Sequence, residues 1–321
     1  MGDDRRERQQ AVVGERAGLR AGSLALLVLS DSLNLAVLRQ LRDGPLTASE
    51  LLDELRASRA TRFKRLLQLE ELGLIVREKH SGWPPPTYCR LSEAGRGLLA
   101  VAERFEAWFA RRQWRQGGEI ERAQTIKALA SGWCSTLVRW LAEGPRSATE
   151  LEALTPPETS HHDVKRALSA LSESGLAERL PRRIGRRHPY SLTPSGRETA
   201  APLAAAIHWE RDLLWEPDPA WEALAAETLL YMAAPLVVMP LEIEGACTML
   251  IEDEGGISAA IADGRVVAGP PTMTEDARVE VLGTGRDWLT ALATGTLESL
   301  ETRGDDQLIA LLVLALQQVI C

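Results

Sequence analysis

Residues Leu38–Leu51 read LRQLRDGPLTASEL, and one hundred positions later Val138–Leu151 reads VRWLAEGPRSATEL. Seven of the fourteen positions are identical: Arg39/Arg139, Leu41/Leu141, Gly44/Gly144, Pro45/Pro145, Ala48/Ala148, Glu50/Glu150 and Leu51/Leu151. Working outward, Gly73-Leu74 is answered by Gly175-Leu176, and LSEAGR at 91–96 by LTPSGR at 192–197. Solenoid units repeat every ~20–50 residues, so an interval of this length is a domain duplicated rather than a repeat array. The chain carries one small domain twice.

Each copy has the same order of elements. In the first, an apolar period at Leu33, Val37, Leu38 and Leu41 predicts a helix that stops at Asp43-Gly44-Pro45. Thr47 with Glu50 forms a capping box for a second, short helix. A third helix is expected from about Arg59 to Gly73, burying Phe63, Leu66, Leu67 and Leu69. A β-hairpin follows around Trp83-Pro84-Pro85-Pro86, then a further helix from about Ser92. In the second copy Ser147 and Glu150 form the box, Val164, Ala167, Leu168 and Leu171 face inward, and a hairpin turns at Ile184-Gly185. Helix, capped helix, longer helix, hairpin is the winged helix-turn-helix plan, whose third helix enters the major groove.

Both copies resemble HxlR-type winged-helix regulators, relatives of the MarR group. The residues that carry the likeness are Gly44-Pro45, Glu50-Leu51, Leu69-Glu70-Glu71-Leu72-Gly73-Leu74 and Leu91-Ser92-Glu93-Ala94-Gly95. Their counterparts are Gly144-Pro145, Glu150-Leu151, Leu171-Ser172-Glu173-Ser174-Gly175-Leu176 and Leu192-Thr193-Pro194-Ser195-Gly196. The resemblance spans roughly residues 25–215 and implies sequence-specific binding of double-stranded DNA. For this family type it also implies a homodimer, paired through the N-terminal segment and the helix around Phe105–Trp114. Two departures stand out: a longer turn, Leu154–Glu158, before the second copy's third helix, and Cys89 where the wing aromatic is Tyr190 in copy two.

The candidate DNA-contacting residues are cations on the two elements such a module uses. In copy one they are Arg59, Thr61, Arg62, Lys64 and Arg65 on the third helix and Arg77, Lys79 and His80 on the wing. In copy two they are His161, His162, Lys165 and Arg166 on the helix, with Arg182, Arg183, Arg186 and Arg187 on the wing. The plainer interpretation is a pair of solvated helix faces; placement of both sets on third helix and wing argues for function. Helix arginines can read guanine edges, while wing arginines hold phosphates. His161-His162-Asp163 is not expected to hold a metal, because adjacent helical residues point about 100° apart.

Composition separates the last third from the rest. Residues 1–220 contain 33 Lys and Arg against 29 Asp and Glu, whereas residues 221–321 contain 4 against 16. The first part can approach a polyanion; the last cannot. Leu24–Leu29 and Leu308–Leu316 are too short to span a bilayer, and MGDDRRERQQ lacks the apolar stretch of a signal peptide. Cys89, Cys134, Cys247 and Cys321 form no close pair, so neither a zinc ribbon nor a disulfide framework is suggested. The expectation is a cytoplasmic protein without membrane contact.

After a linker at Glu216-Pro217-Asp218-Pro219 the period changes to two. Leu241, Ile243, Cys247, Met249 and Ile251 alternate with polar residues, and further strands fit Ile257–Ala262, Arg265–Ala268 and Ala277–Leu282. Asp263-Gly264 suits a type I′ turn. Helices are expected from about Gly285, with Trp288, Leu289 and Leu292, and from about Asp306, apolar on nearly every side. An antiparallel sheet under such helices resembles the sterol carrier protein type of lipid-binding domain. The likeness rests on Val266–Pro270, Ala277–Gly283, Arg286–Leu289 and Gly304-Asp305. It implies a hydrophobic ligand held by Leu241, Ile243, Met249, Ile251, Trp288, Leu292 and Leu312; the same side chains can equally fill a closed core.

The expected architecture is therefore mainly α with α+β: winged-helix domains at 1–117 and 118–216, then a sterol carrier protein-like α+β domain with an antiparallel sheet at 221–321. The expected function is a DNA-binding transcriptional regulator controlled by a small hydrophobic ligand. The alternative is a ligand-sequestering protein on a winged-helix scaffold that touches no DNA. No Ser/His/Asp set, phosphate-cradling glycine loop or metal spacing is present, so neither enzyme activity nor a cofactor is expected.

Overall fold

The computed structural model describes residues 23–53, 57–79, 87–111, 118–130, 132–155, 159–181, 188–213, 218–252, 255–271 and 279–321. The chain forms two compact units, Met1–Gly132 and Trp133–Cys321.

In the first unit the order is α1 (Leu24–Leu29), α2 (Ser32–Gln40), β1 (Leu46–Thr47), α3 (Ala48–Asp53), α4 (Arg59–Glu71), β2 (Ile75–Lys79), β3 (Thr87–Leu91), α5 (Glu93–Arg111) and α6 (Glu119–Ala130). The strands make an antiparallel sheet in the order β1-β3-β2. The two-residue β1, which no periodicity could reveal, pairs Leu46 with Cys89 and Thr47 with Tyr88. Side-chain caps set the helix starts: Ser23 accepts from Leu26 N, and Asp31 from Leu33 N. The long α5 buries Leu98, Leu99, Val101, Ala102, Phe105, Trp108 and Phe109. Phe105 and Trp108, placed by sequence at a dimer interface, thus lie inside the unit, while Trp114 is outside the described residues. Helix α6 packs on α1. At the hundred-residue offset α6 is copy two's equivalent of α1, so the first helix of the second repeat completes the core of the first.

The second unit begins with α7 (Gly132–Glu143), β4 (Arg146–Ser147), α8 (Ala148–Ala153), α9 (His161–Glu173), β5 (Ala177–Arg179), β6 (Pro189–Leu192), α10 (Pro194–Arg197) and α11 (Ala200–Leu213). Its small sheet, β4-β6-β5, repeats the order of the first. The acidic module then continues the same unit: α12 (Pro219–Ala233), β7 (Gly245–Ile251), β8 (Gly255–Ala262), β9 (Arg265–Gly269), β10 (Val279–Gly283), α13 (Gly285–Thr294), β11 (Glu301–Gly304) and α14 (Asp306–Ile320).

Four expectations need correction. The module's sheet, ordered β11-β10-β7-β8-β9, is mixed, because β10 runs parallel to β7. Alternation identifies a strand but not its direction, and β10, the next described strand after β9 in sequence, lies in the sheet on the opposite side of β7 from β8 and β9. Leu241 and Ile243 lie before the strand rather than in it, and Leu241 is 74% exposed. Phe63, expected inside, is 46% exposed. Part of the expected linker, Asp218-Pro219, instead opens helix α12, whose Ala- and Leu-rich sequence shows no phase because it is buried along most of its length. Asp218 and Pro219 are its N-cap and first residue. The Asp263-Gly264 turn has φ +50° and +70°, as a type I′ turn requires. No helix among the described residues is long and apolar enough to cross a membrane.

Candidate nucleic-acid interface

Identical backbone chemistry positions the third helix of each copy. Helix α4 ends in a left-handed residue, Gly73 (φ +72°), with Leu74 N bonded back to Leu69 O at 2.9 Å and Gly73 N to Glu70 O at 2.9 Å. Helix α9 ends the same way at Gly175 (φ +64°), with Leu176 N on Leu171 O at 2.9 Å. This double closure is the Schellman motif, which satisfies the last carbonyls and needs a residue tolerant of positive φ. The Ser92 hydroxyl then donates to Gly73 O and Leu74 O and accepts from Gly95 N. Thr193 repeats all three bonds on Gly175, Leu176 and Gly196. A Cβ on Gly95 or on Gly196 would sit 2.1 Å from the carbonyl oxygen of Leu74 or Leu176. Hydroxyl and glycine together therefore lock the end of the third helix to the start of the next, fixing the angle at which α4 and α9 face solvent.

The outward faces differ. On α4, Arg59, Thr61, Phe63 and Lys64 are exposed, while Arg62 and Arg65 are half-buried. Arg65 bonds Asp31 at 2.5 Å and Gln68 at 2.8 Å, so it ties α4 to the cap of α2. Arg62 and Arg65 occupy the positions where α9 buries Val164 and Ala167, and in consequence α4 buries only Leu66 and Leu69. On α9, His162, Lys165 and Arg166 are exposed. Arg166 pairs with Asp163 at 2.9 Å, and His161 Nδ1 lies 2.6 Å from Glu152. Asp163 also completes a capping box with Ser160, whose hydroxyl holds its carboxyl below the usual range.

On the first wing Arg77 is drawn to Glu70 at 2.6 Å, Lys79 is exposed, and Arg90 pairs with Glu78 at 2.8 Å. His80, Arg182, Arg183, Arg186 and Arg187 lie outside the described residues. Among the described candidates, the ion pairs seen are all with acids of the same copy rather than of the acidic module.

The acidic module instead engages Arg139, the repeat partner of Arg39, through Glu227. Arg139 is 5% exposed and bonds both oxygens of Glu227 at 2.7 Å and Glu143 at 3.0 Å. Its guanidinium stacks on Trp140 at 4.6 Å and on Tyr231 at 4.3 Å. Burial works against the charge, but the carboxylates of Glu227 and Glu143 prevail and raise its pKa. Arg197 donates to Tyr231 O and Arg211 to Thr290. Helices α7, α10 and α11 are thereby joined to the acidic module. Of the proposed ligand residues, Met249, Trp288, Leu292 and Leu312 are fully buried and Ile251 nearly so, and Trp288 Nε1 donates to Leu250 O at 2.8 Å.

The profile of the HxlR-like helix-turn-helix family matches residues 28–116 and again 128–217, more than half of the chain. The chain belongs to the HxlR-like helix-turn-helix family. The two matches coincide with the duplicated scaffold, so both HxlR-like copies keep the helix closures and wing described above. A solved chain from Enterococcus faecalis V583, described as a "Putitive Transcriptional Regulator of MarR Family", is 26% identical over 29% of this chain and 87% of its own. Its TM-score is 0.27, so the fold rests on the family match and the topology. No curated protein matches the chain.

Proposed function

We propose that this HxlR-like protein is a DNA-binding transcriptional regulator whose α4 and α9 enter the major groove. The observation that carries the proposal is the exposure of Arg59 and Lys64 on one third helix and of Lys165 and Arg166 on the other, both on scaffolds locked by the same glycine and hydroxyl devices. A guanidinium bonded to a guanine edge discriminates by ~1–3 kcal/mol, and each neutralised phosphate adds to the salt dependence.

The test selects duplexes from a random library with the full chain and measures fluorescence anisotropy against salt. Specific binding with a steep salt slope is expected. Arg59→Ala with Lys64→Ala should weaken it at least tenfold, as should Lys165→Ala with Arg166→Ala, folding unchanged; tenfold corresponds to ~1.4 kcal/mol. Salt-insensitive binding, or none, would leave the ligand-sequestering alternative.

The acidic module, by its likeness to sterol carrier proteins, is assigned the sensing role within the same proposal. A ligand lying against Met249, Ile251, Trp288, Leu292 and Leu312 must displace packing, since all five are buried. Full-length protein freed of lipid should retain about one equivalent of labelled palmitate through gel filtration. If none is retained, the ligand is lost and DNA reading stands.

A further inference from the structure

Among the described residues, Phe63 is the one aromatic ring in the group of exposed large apolar side chains. The phase of α4 holds it outside. Leu66 and Leu69 are fully buried on the opposite flank, and Arg65 is paired with Asp31 at 2.5 Å, so the ring cannot swing inward without disturbing both. The Ser58 hydroxyl caps the helix by accepting from Thr61 N at 3.2 Å, which puts Phe63 in the N-terminal half of α4. That half is the part of a helix-turn-helix that meets base edges. Exposed cations flank the ring: Lys64 is its chain neighbour, and Arg59 lies one turn back on the same face. In the major groove the bases present one apolar group, the C5-methyl of thymine, and phenylalanine is among the side chains that pack on it. With Gly73 aligned to Gly175, the position of Phe63 is taken in copy two by Lys165, which offers a hydrogen-bond donor instead.

We propose that Phe63 reads the C5-methyl group of a thymine and that copy two, with Lys165 there, lacks this preference. The two copies therefore favour unlike base sequences. The inference rests on the DNA reading proposed above and adds a base identity to it. Arg59 and Lys64 supply attraction to the duplex, and the ring between them supplies discrimination.

The duplex selected from a random library by the full chain is resynthesised with each thymine in turn replaced by deoxyuridine. That change removes the methyl and keeps every hydrogen-bonding group. At one thymine it should weaken binding about fourfold, the contribution of one buried methyl. Phe63→Ala should bind thymine and uracil alike at that position, whereas Lys165→Ala should lower affinity yet keep the fourfold difference. Phe63→Lys gives copy one the residue of copy two and should make guanine the preferred base there, a gain that damaged folding cannot produce. If no thymine is sensitive to loss of its methyl, or if the sensitivity survives Phe63→Ala, the inference is overturned. Salt-dependent binding that is lost on Arg59→Ala with Lys64→Ala would still uphold the DNA reading in that case. Failure to select any duplex removes both.

Discussion

Copy one and copy two are built on the same backbone devices and put them to different environments. Arg39 and Arg139 occupy the same repeat position, yet Arg39 reaches Glu106 across a half-exposed surface while Arg139 is enclosed by Glu227, Glu143, Trp140 and Tyr231. The difference comes from what is built against each copy. The acidic module places α12 beside α7 and turns an ordinary surface arginine into a buried junction. Duplicated sequence thus specifies the scaffold, whereas burial decides what a shared residue contributes.

Substituting the two arginines in turn breaks the comparison most sharply. Arg139→Met strands Glu227 without its partner, and removing one member of a buried pair costs ~3–5 kcal/mol. Arg39→Met should change stability by only ~0–1 kcal/mol, because that pair is largely solvated. Chemical denaturation of the full chain, followed by hydrogen exchange to separate the units, reads both. Similar costs for the two variants would show that the Arg139 network is not the junction.

Gly95 and Gly196 test the opposite half of the comparison, the part the copies share. Each added methyl meets a carbonyl oxygen at 2.1 Å, a backbone atom that cannot rotate away. Gly95→Ala and Gly196→Ala should each cost about 3 kcal/mol, the upper end of the ~1–3 kcal/mol range for overpacking. The first should lower the transition of unit one and the second that of unit two. A cost in one copy alone would mean that the turn is not equivalent in both.

These devices were the most legible features of the chain. Gly73-Leu74, Ser92 and Gly95 are dictated by local backbone geometry, and local geometry survives in any environment, so the repeat revealed it. Phe63 was misplaced because Arg62 and Arg65 fill core-side positions on α4, which a helical period for apolar residues does not anticipate. Helix α12 escaped notice for the reverse reason: buried nearly all round, it offers no polar face to set a phase. Arg139 matched Arg39 letter for letter, and no local pattern marks a residue whose partner lies 88 positions away. On the candidate interface, sequence placed cations on the third helix of each copy but could not tell that Arg65 and Arg77 turn back to Asp31 and Glu70.

Two buried thiols extend the comparison to pH, with the smallest expected effect. Burial pushes the Cys247 thiol up to about 12 from an ordinary 9.0. The folded state therefore holds its proton where the unfolded chain releases it. Stability from this group is complete below pH 9 and is lost between about 9 and 12, at a slope of about 1.4 kcal/mol per pH unit. Cys89 is raised by burial as well, but the nearby Arg77 guanidinium favours the thiolate and offsets part of the effect. Subtracting Cys247→Ala from the parent cancels every other titrating group. The parent's stability relative to that variant should fall by about 1.4 kcal/mol on reaching pH 10, while the same difference for Cys89→Ala falls less. A flat difference for Cys247 would mean that its thiolate is solvated in the folded protein, and hence that the sheet of the acidic module admits water behind β7.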